Sequence, residues 1–332
     1  MARTMVWAIC WLVVTASGNL AAQRLHTVPD MLMILDSSRV SYELFVRDKP
    51  EPDDDFSDHL LFHDMYRVKN GDQYGASAYA PTEEAEQLMA RAEDYYGKRD
   101  WSEARRYYLK TLQADSTYYK ALTYVGQTYE AEGDIDEAMI WYEKAVRANY
   151  IDYMAHWFLA DAWRAIGDPA RALDEIVIAK ILNRNNPRID ISLQSILKLN
   201  KRPAPLWGFY PQFKADSLGP DRIKIDFHVD WMPYAFSKTL WYYEPGYAES
   251  LNNNLVLSER EALIGMFASA DKKFLKKHPE IQAFGKAVSL GLQDGYILYE
   301  VLLPRFPQLV YQLNDEDIKH IQSYALQVRY QK

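Results

Sequence analysis

Between residues 82 and 186 the small and the bulky apolar positions recur with a single period. Ala92, Gly126 and Ala160 stand 34 residues apart, and Ala104, Ala138 and Ala172 keep step with them. Tyr95, Tyr129 and Trp163 share a third register, Tyr108, Tyr142 and Ile176 a fourth, and Thr111, Ala145 and Ala179 a fifth. A fixed period of this length marks a stacked helical repeat. Each unit is a pair of antiparallel helices. Small side chains let the two helices approach, aromatics fill the space between units, and no pair can bury its apolar face alone. Gly133-Asp134 and Gly167-Asp168 fall at the turn inside their units, with Arg99-Asp100 in the equivalent place.

The flanks lack this period. Residues 24–46 predict one short helix, with Asp30 as its cap and Met31, Ile34, Leu35 and Leu44 buried. Asp48 to Asp55 form an acidic, proline-broken linker. A second short helix is expected from Phe56 to Val68, and the Gly-, Ala-, Ser- and Tyr-rich stretch 69–80 reads as loop. After Pro187 the repeat fades, with Gln194 where a small residue is due. Ile191, Leu193, Ile196 and Leu197 still predict a helix from Arg188 to Asn200 that closes the open end of the stack. Residues 201–221 are rich in Pro and Gly and read as a linker. Beyond it, Trp231 to Tyr243 predicts a helix ended by Glu244-Pro245-Gly246. Ser258 with Glu261 makes a capping box for the next. Pro279 suits a first helical position, in a helix running toward Leu302 with a break near Gly291 and Gly295. Asn314 begins the last helix, with Asp315, Glu316 and Asp317 at its positive end. Only Ile223 to Val229 alternates like a strand.

The clearest copy of the repeat is Leu122-Thr123-Tyr124-Val125-Gly126-Gln127-Thr128-Tyr129, then Gly133-Asp134, Ala138, Tyr142 and Ala145. It resembles the tetratricopeptide (TPR) repeat family, over residues 82–186 and three repeats. Departures are Arg91 and His156 at helix positions where the family is usually apolar, and Ser116, Tyr150 and Arg184 in place of the repeat-ending proline. The expected architecture is mainly α, a TPR-like helical solenoid followed by a second, mostly helical C-terminal domain. Its boundaries are a signal peptide over 1–22, short helices and acidic linker over 23–80, the array and closing helix over 81–200, a linker over 201–221 and the last domain over 222–332. In the family, the first helix of each repeat lines a concave surface that binds proteins or peptides. Carried over position by position, that surface shows Met89, Glu93 and Tyr96, then Thr123, Gln127 and Glu130, then Trp157, Asp161 and Arg164, joined by Lys120 and Met154. It mixes acids with isolated bases and one large aromatic. It lacks the ring of Lys and Asn that some relatives use to clamp a terminal carboxylate, so the resemblance implies an internal peptide segment or a folded partner.

Composition adds the compartment. Arg3, an apolar run from Met5 to Val14, and small and polar residues through Ala22 follow the grammar of a secretory signal peptide, with cleavage after Ala22 or Gln23. The run is short for a membrane span, which needs roughly 20 residues, and no later segment is longer. The single cysteine, Cys10, lies inside this run, so a cleaved chain can form no disulfide. The expected product is a soluble periplasmic or secreted protein, in a bacterial style of signal. The net charge is −8, and without Arg3 it is 37 basic against 46 acidic residues, or −9. That balance argues against nucleic-acid binding, which needs a basic face to displace counterions.

Catalytic chemistry is thinly represented. His59 and His63 are spaced to share a metal on one helix face, but no third ligand is fixed by spacing. Asp226, His228 and Asp230 would share one face of a strand, where a carboxylate beside an imidazole can tune a general base. Trp231, Trp241, Tyr242, Tyr243 and Tyr247, with Glu244, offer aromatic surface of the kind that stacks on sugars. The acidic run Asp53 to Asp55 lacks the alternating ligands and glycine of a calcium loop. Phosphate-cradling, GxSxG and CxxC motifs are absent. Two readings follow. The leading one is a scaffold that needs no cofactor or metal and binds a protein or peptide in the groove. The alternative is a glycan-binding or hydrolytic protein that uses the aromatic C-terminal domain. An open cleft around Asp230, Glu244 and exposed tryptophans would favour the second, and inward packing of those side chains the first.

Overall fold

The computed structural model describes residues 26–51, 65–71 and 73–332. It is mainly helical, with two small sheets. The chain runs through α1 (Val28–Asp36), β1 (Ser41–Arg47) and a hairpin of β2 (Met65–Asn70) and β3 (Gln73–Ala78). Next come α2 (Glu83–Gly97), α3 (Trp101–Ala114), α4 (Lys120–Glu132), α5 (Ile135–Ala148), α6 (Tyr153–Ala165), α7 (Pro169–Leu182) and α8 (Pro187–Leu199). β4 (Phe213–Gly219), β5 (Arg222–His228), α9 (Met232–Tyr243), α10 (Leu255–Ala268), α11 (Lys272–Lys277) and α12 (Pro279–Ser289) follow. The chain ends with α13 (Gln293–Tyr296), α14 (Leu303–Arg305) and α15 (Asp315–Tyr324), and with π-helical turns at Ile297–Leu302 and Ala325–Arg329. Two compact units result, Met1–Asp53 with Phe209–Gly285, and Asp54–Gly208 with Lys286–Lys332. The boundary expected between 221 and 222 therefore moves, and residues 286–332 group with the repeats.

In the repeat unit, each predicted turn is built by the same device. Asp100, Asp134 and Asp168 cap α3, α5 and α7, each accepting the amide three residues on, from Glu103, Glu137 and Arg171 at 3.2, 3.2 and 3.1 Å. Such a cap satisfies one of the orphan donors of a helix start. Ala92, Ala104, Ala138, Ala160 and Ala172 are wholly buried, as close packing requires. His156, at a position where the family is apolar, is buried but satisfied. Its ring nitrogens meet Glu175 at 2.6 Å and the Tyr150 carbonyl at 3.0 Å. Helix α8 stands where the closing helix was expected. The β2–β3 hairpin stands where the sequence predicts the end of a helix, through Val68, and a loop over 69–80. It is pinned to the corners between repeats. The Asn149 side chain donates to the Met65 carbonyl and accepts from the Arg67 amide, and Tyr66 and Tyr79 stack at 5.3 Å beside Tyr118 and Tyr119. Tyrosine rings and an amide that mimics a strand edge hold this hairpin, and they do so only through tertiary contacts.

The other unit is a three-stranded sheet, ordered β1-β5-β4, covered by helices. β1 runs parallel to β5, and β4 antiparallel. Ile223, Ile225 and Phe227 of β5 are buried against Ala235, Phe236 and Leu240 of α9, which gives the alternation read from the sequence. The single helix expected over 24–46 is instead α1 and β1. Thr27 caps α1, Asp30 completes its capping box from the third position, and Leu44 is exposed. The linker expected over 201–221 contains β4. The capping box at Ser258 and Glu261 does not form, because α10 starts a turn earlier, at Leu255. Ser258 is buried and accepts from Lys238 Nζ at 3.0 Å, and buried Glu261 accepts from Trp241 Nε1 at 2.6 Å. Burial, which a local motif does not encode, decided their role. Asn314 begins α15 as expected, and there it also forms a capping box with Asp317. The expected signal peptide, the acidic run Asp53 to Asp55, and His59 and His63 lie outside the described residues.

Candidate partner-binding face

The first helices of the three repeats, α2, α4 and α6, present the positions expected to line the groove. Two are not available to a partner. Met89 lies in the core between α2 and its neighbours, and Thr123 is fully buried, donating to Asp152 at 3.1 Å. At these sites the first helix turns inward, and sequence spacing alone did not separate lining from core. The remaining positions reach the surface in part or in full. Glu93 is exposed and accepts the Tyr108 hydroxyl at 2.8 Å. Glu130, half-buried, accepts the Tyr142 hydroxyl at 2.5 Å. Asp161 pairs with Arg164 at 3.1 Å. Tyr96 lies edge-on to Trp101, and the Lys120 ammonium sits over the Tyr118 ring at 5.1 Å. Gln127 and Met154 are half-buried.

A pattern in the repeat register explains the difference between these carboxylates. Tyr108 and Tyr142 occupy one register and each donates to a groove acid. Ile176 holds that register in the third repeat, so Asp161 turns to Arg164 instead. Burial raises the carboxyl pKa of both Glu130 and Asp161 above the usual range, although Tyr142 and Arg164 pull the other way. Tyr96 is raised by burial and by the nearby charges of Glu130 and Glu93. The face therefore holds carboxylates that are poorly solvated and gain from a donor or cation.

Trp157 is half-buried. Its indole Nε1 donates to Ser192 of α8 at 2.8 Å, and its ring lies parallel to Phe158 at 5.8 Å. One further lining residue escaped the sequence reading. Ile191 of α8 stands 34 residues after Trp157, in the register of Met89 and Thr123, and is 71% exposed. The periodicity pointed to it, but the lost small residue at Gln194 hid the continuation. The face thus runs onto α8, with Trp157 and Ile191 as apolar features at one end and the Glu93 and Glu130 carboxylates toward the other.

The alternative site does not assemble. Trp231 and Trp241 are core residues, and Glu244 is buried against the Tyr42 hydroxyl at 2.5 Å. Asp226 is engaged by Arg47 and Lys224, whereas Asp230 lies in the turn after β5 and pairs with Lys277 and His278. His228 shares a half-buried strand face with Asp226, accepts the Asp230 amide at 3.2 Å and lies 3.7 Å from its carboxylate, but both acids are already paired with cations of their own unit. Tyr242 is 38% exposed, but the tryptophans needed for a stacking platform are turned inward. Among the described residues no group of three or more His, Cys, Asp or Glu is arranged to hold a metal, and no helix is long and apolar enough to cross a membrane.

Comparison with known proteins bears on the repeats. Residues 89–150 and 142–179 match the tetratricopeptide repeat family model, so this segment consists of TPR repeats. No curated protein matches the chain. Among solved structures, the type III secretion chaperone SycD of Yersinia enterocolitica, crystallised with a peptide of the translocator YopD, is 21% identical. That match covers 36% of this chain and 96% of SycD with a TM-score of 0.34. The Sgt2 TPR domain of Aspergillus fumigatus is 19% identical over 42% of this chain and 94% of its own, with a TM-score of 0.34. The TPR domain of P58(IPK) is 14% identical over 73% of this chain and 65% of its own, with a TM-score of 0.32.

Proposed function

We propose that this protein is a non-catalytic interaction scaffold that holds a segment of a partner protein on the face formed by α2, α4, α6 and α8. One observation carries the reading. A single register of the TPR repeat brings a half-buried indole and an exposed isoleucine together beside under-solvated carboxylates, and among the described residues no catalytic constellation competes with it. Trp157 and Ile191 would receive an apolar side chain, while Glu93, Glu130 and Asp161 would receive donors or cations from the same segment. The sequence of Arg3 to Ala22 supports export, so the proposed place of action is the periplasm or the extracellular space.

The test begins with affinity capture from the native envelope and identification of the bound protein. Binding of a purified partner to Trp157→Ala is then measured. Tryptophan anchors are over-represented among the few residues that dominate binding energy, so the substitution should weaken binding by about 2 kcal/mol or more. The helical melt should stay in place. If Trp157→Ala melts the array yet leaves the affinity of the folded fraction unchanged, the indole is core and the reading fails.

A further inference from the structure

The strand β1 is at the edge of its sheet, and its outer side is unlike the other edge. The amide of Ser41 donates to the Asp221 carbonyl at 2.8 Å, toward β5. Backbone groups alternate sides along a strand, so those of Tyr42, Leu44 and Val46 point away from β5. No strand pairs with them among the described residues. Leu44, Phe45 and Val46 are 53%, 47% and 58% exposed, three apolar residues in a row on an unpaired edge. The opposite edge, β4, carries the usual protections. It has a register shift between Ser217 and Gly219 and carries exposed, charged Lys214 and Asp216. Proteins generally blunt sheet edges with bulges and charges, because an open apolar edge recruits another strand.

We propose that this edge pairs with the same edge of a second copy of the chain, antiparallel and centred on Phe45. The strand is self-complementary in that register. Leu44 lies opposite Val46 of the second copy, and both have outward backbone groups, so each pair exchanges two hydrogen bonds. Phe45 faces Phe45 across the two-fold axis as the closely spaced, non-hydrogen-bonded pair. Glu43 lies opposite Arg47, with Lys49 on the diagonal. Arg47 already sits between Asp226 and Glu51 of its own chain, so Lys49, exposed and two residues past the strand, meets the incoming carboxylate of Glu43. Glu43 keeps Arg222 of its own chain as a partner, so Lys49 adds a second cation to it across the pair. A one-residue shift would turn the outward backbone groups of one strand toward the inward groups of the other and remove the ladder. The product is a continuous six-stranded sheet, closed by two-fold symmetry.

Sedimentation velocity of the purified full chain should show a dimer that dissociates on dilution. Glu43→Lys should weaken self-association by about tenfold or more, because like charges face each other twice per dimer. Adding Lys49→Glu to that variant should restore it. The register has its own readout. With Cys10→Ser removing the single native cysteine, Phe45→Cys should form a covalent dimer under mild oxidation, while Val46→Cys, displaced from the axis, should not. Thermal melts of each variant matching the parent would show that the fold is intact. A chain that stays monomeric at every concentration, a dimer indifferent to Glu43→Lys, or equal cross-linking at positions 45 and 46 would overturn the proposal.

Discussion

Arg99 has φ +61°, one of two non-glycine residues on the left-handed side among the described residues, at the position where the second and third repeats have Gly133 and Gly167 at +86° and +84°. A side chain there strains the backbone, so Arg99→Gly should raise stability by about 0.5–1 kcal/mol in urea denaturation, less than the full strain because glycine is freer when unfolded. Gly126 shows the converse. A Cβ there would lie 2.5 Å from Cε1 of the Tyr142 ring, which is fully buried and held by Glu130. Gly126→Ala should cost about 1–3 kcal/mol, and the cost should shrink in a Tyr142→Leu background, where the ring no longer resists. Equal cost in both backgrounds would mean that the ring is not the obstacle.

Between elements, the C-terminal helices are tied to the repeats through one buried acid. Glu300, in the first π-helical turn, accepts from Arg329 at 2.8 and 2.9 Å and from the Tyr324 hydroxyl at 2.8 Å, and lies 3.4 Å from Arg184 at the end of α7. Arg184 also donates to the Tyr299 carbonyl at 2.8 Å. π-Helical turns are uncommon, and here two of them bring Glu300 and Arg329 together. One carboxylate serves two buried guanidiniums, so Glu300→Gln should cost about 3–5 kcal/mol by leaving both without a counter-charge. The pair Glu300→Leu with Arg329→Leu should cost less than the sum of the single changes. Additive losses would show that the residues do not act as a unit.

On the scale of the whole molecule, the two units should respond to pH in opposite directions. In the repeat unit, burial lowers the Lys180 ammonium from its ordinary value to about 7, against the pull of Asp190 at 2.5 Å. The unfolded chain then binds more protons between that value and the ordinary one, so this unit should gain stability as pH rises above 7, by an amount on the order of a few kcal/mol. Lys180→Met should flatten the rise. In the sheet unit, burial opposes the charge of His278, but hydrogen bonds to Glu280 and Asp230 outweigh it and raise its pKa above the usual 6.5. That contribution is complete below 6.5 and lost as pH rises through the raised value, and His278→Gln should remove it. Melts followed at pH 6, 7.5 and 9 check both signs. The proposed export makes a separate prediction, that native protein begins near Gln23. N-terminal sequencing that starts at Met1 or Ala2 would rule out cleavage.

The sequence alone determined whatever acts within a turn or repeats along the chain. The 34-residue register, the turns at Asp100, Asp134 and Asp168, the helix start at Asn314 and the alternating strand at Ile223–His228 rest on repetition or on neighbours a few residues apart, so they were legible. Most of the candidate face was legible for the same reason. Tertiary structure decided the rest. Ser41–Arg47 becomes a strand because it pairs with Arg222–His228, far along the chain, and its own pattern reads as helix. Ser258 and Glu261 leave a helix cap to serve buried Lys238 and Trp241. Met89 and Thr123 share the spacing of Trp157 and Ile191 but are buried, while those two reach the surface. Spacing gives the angle of a side chain about its own helix, whereas its exposure depends on what packs against that angle, and only the assembled neighbours supply that.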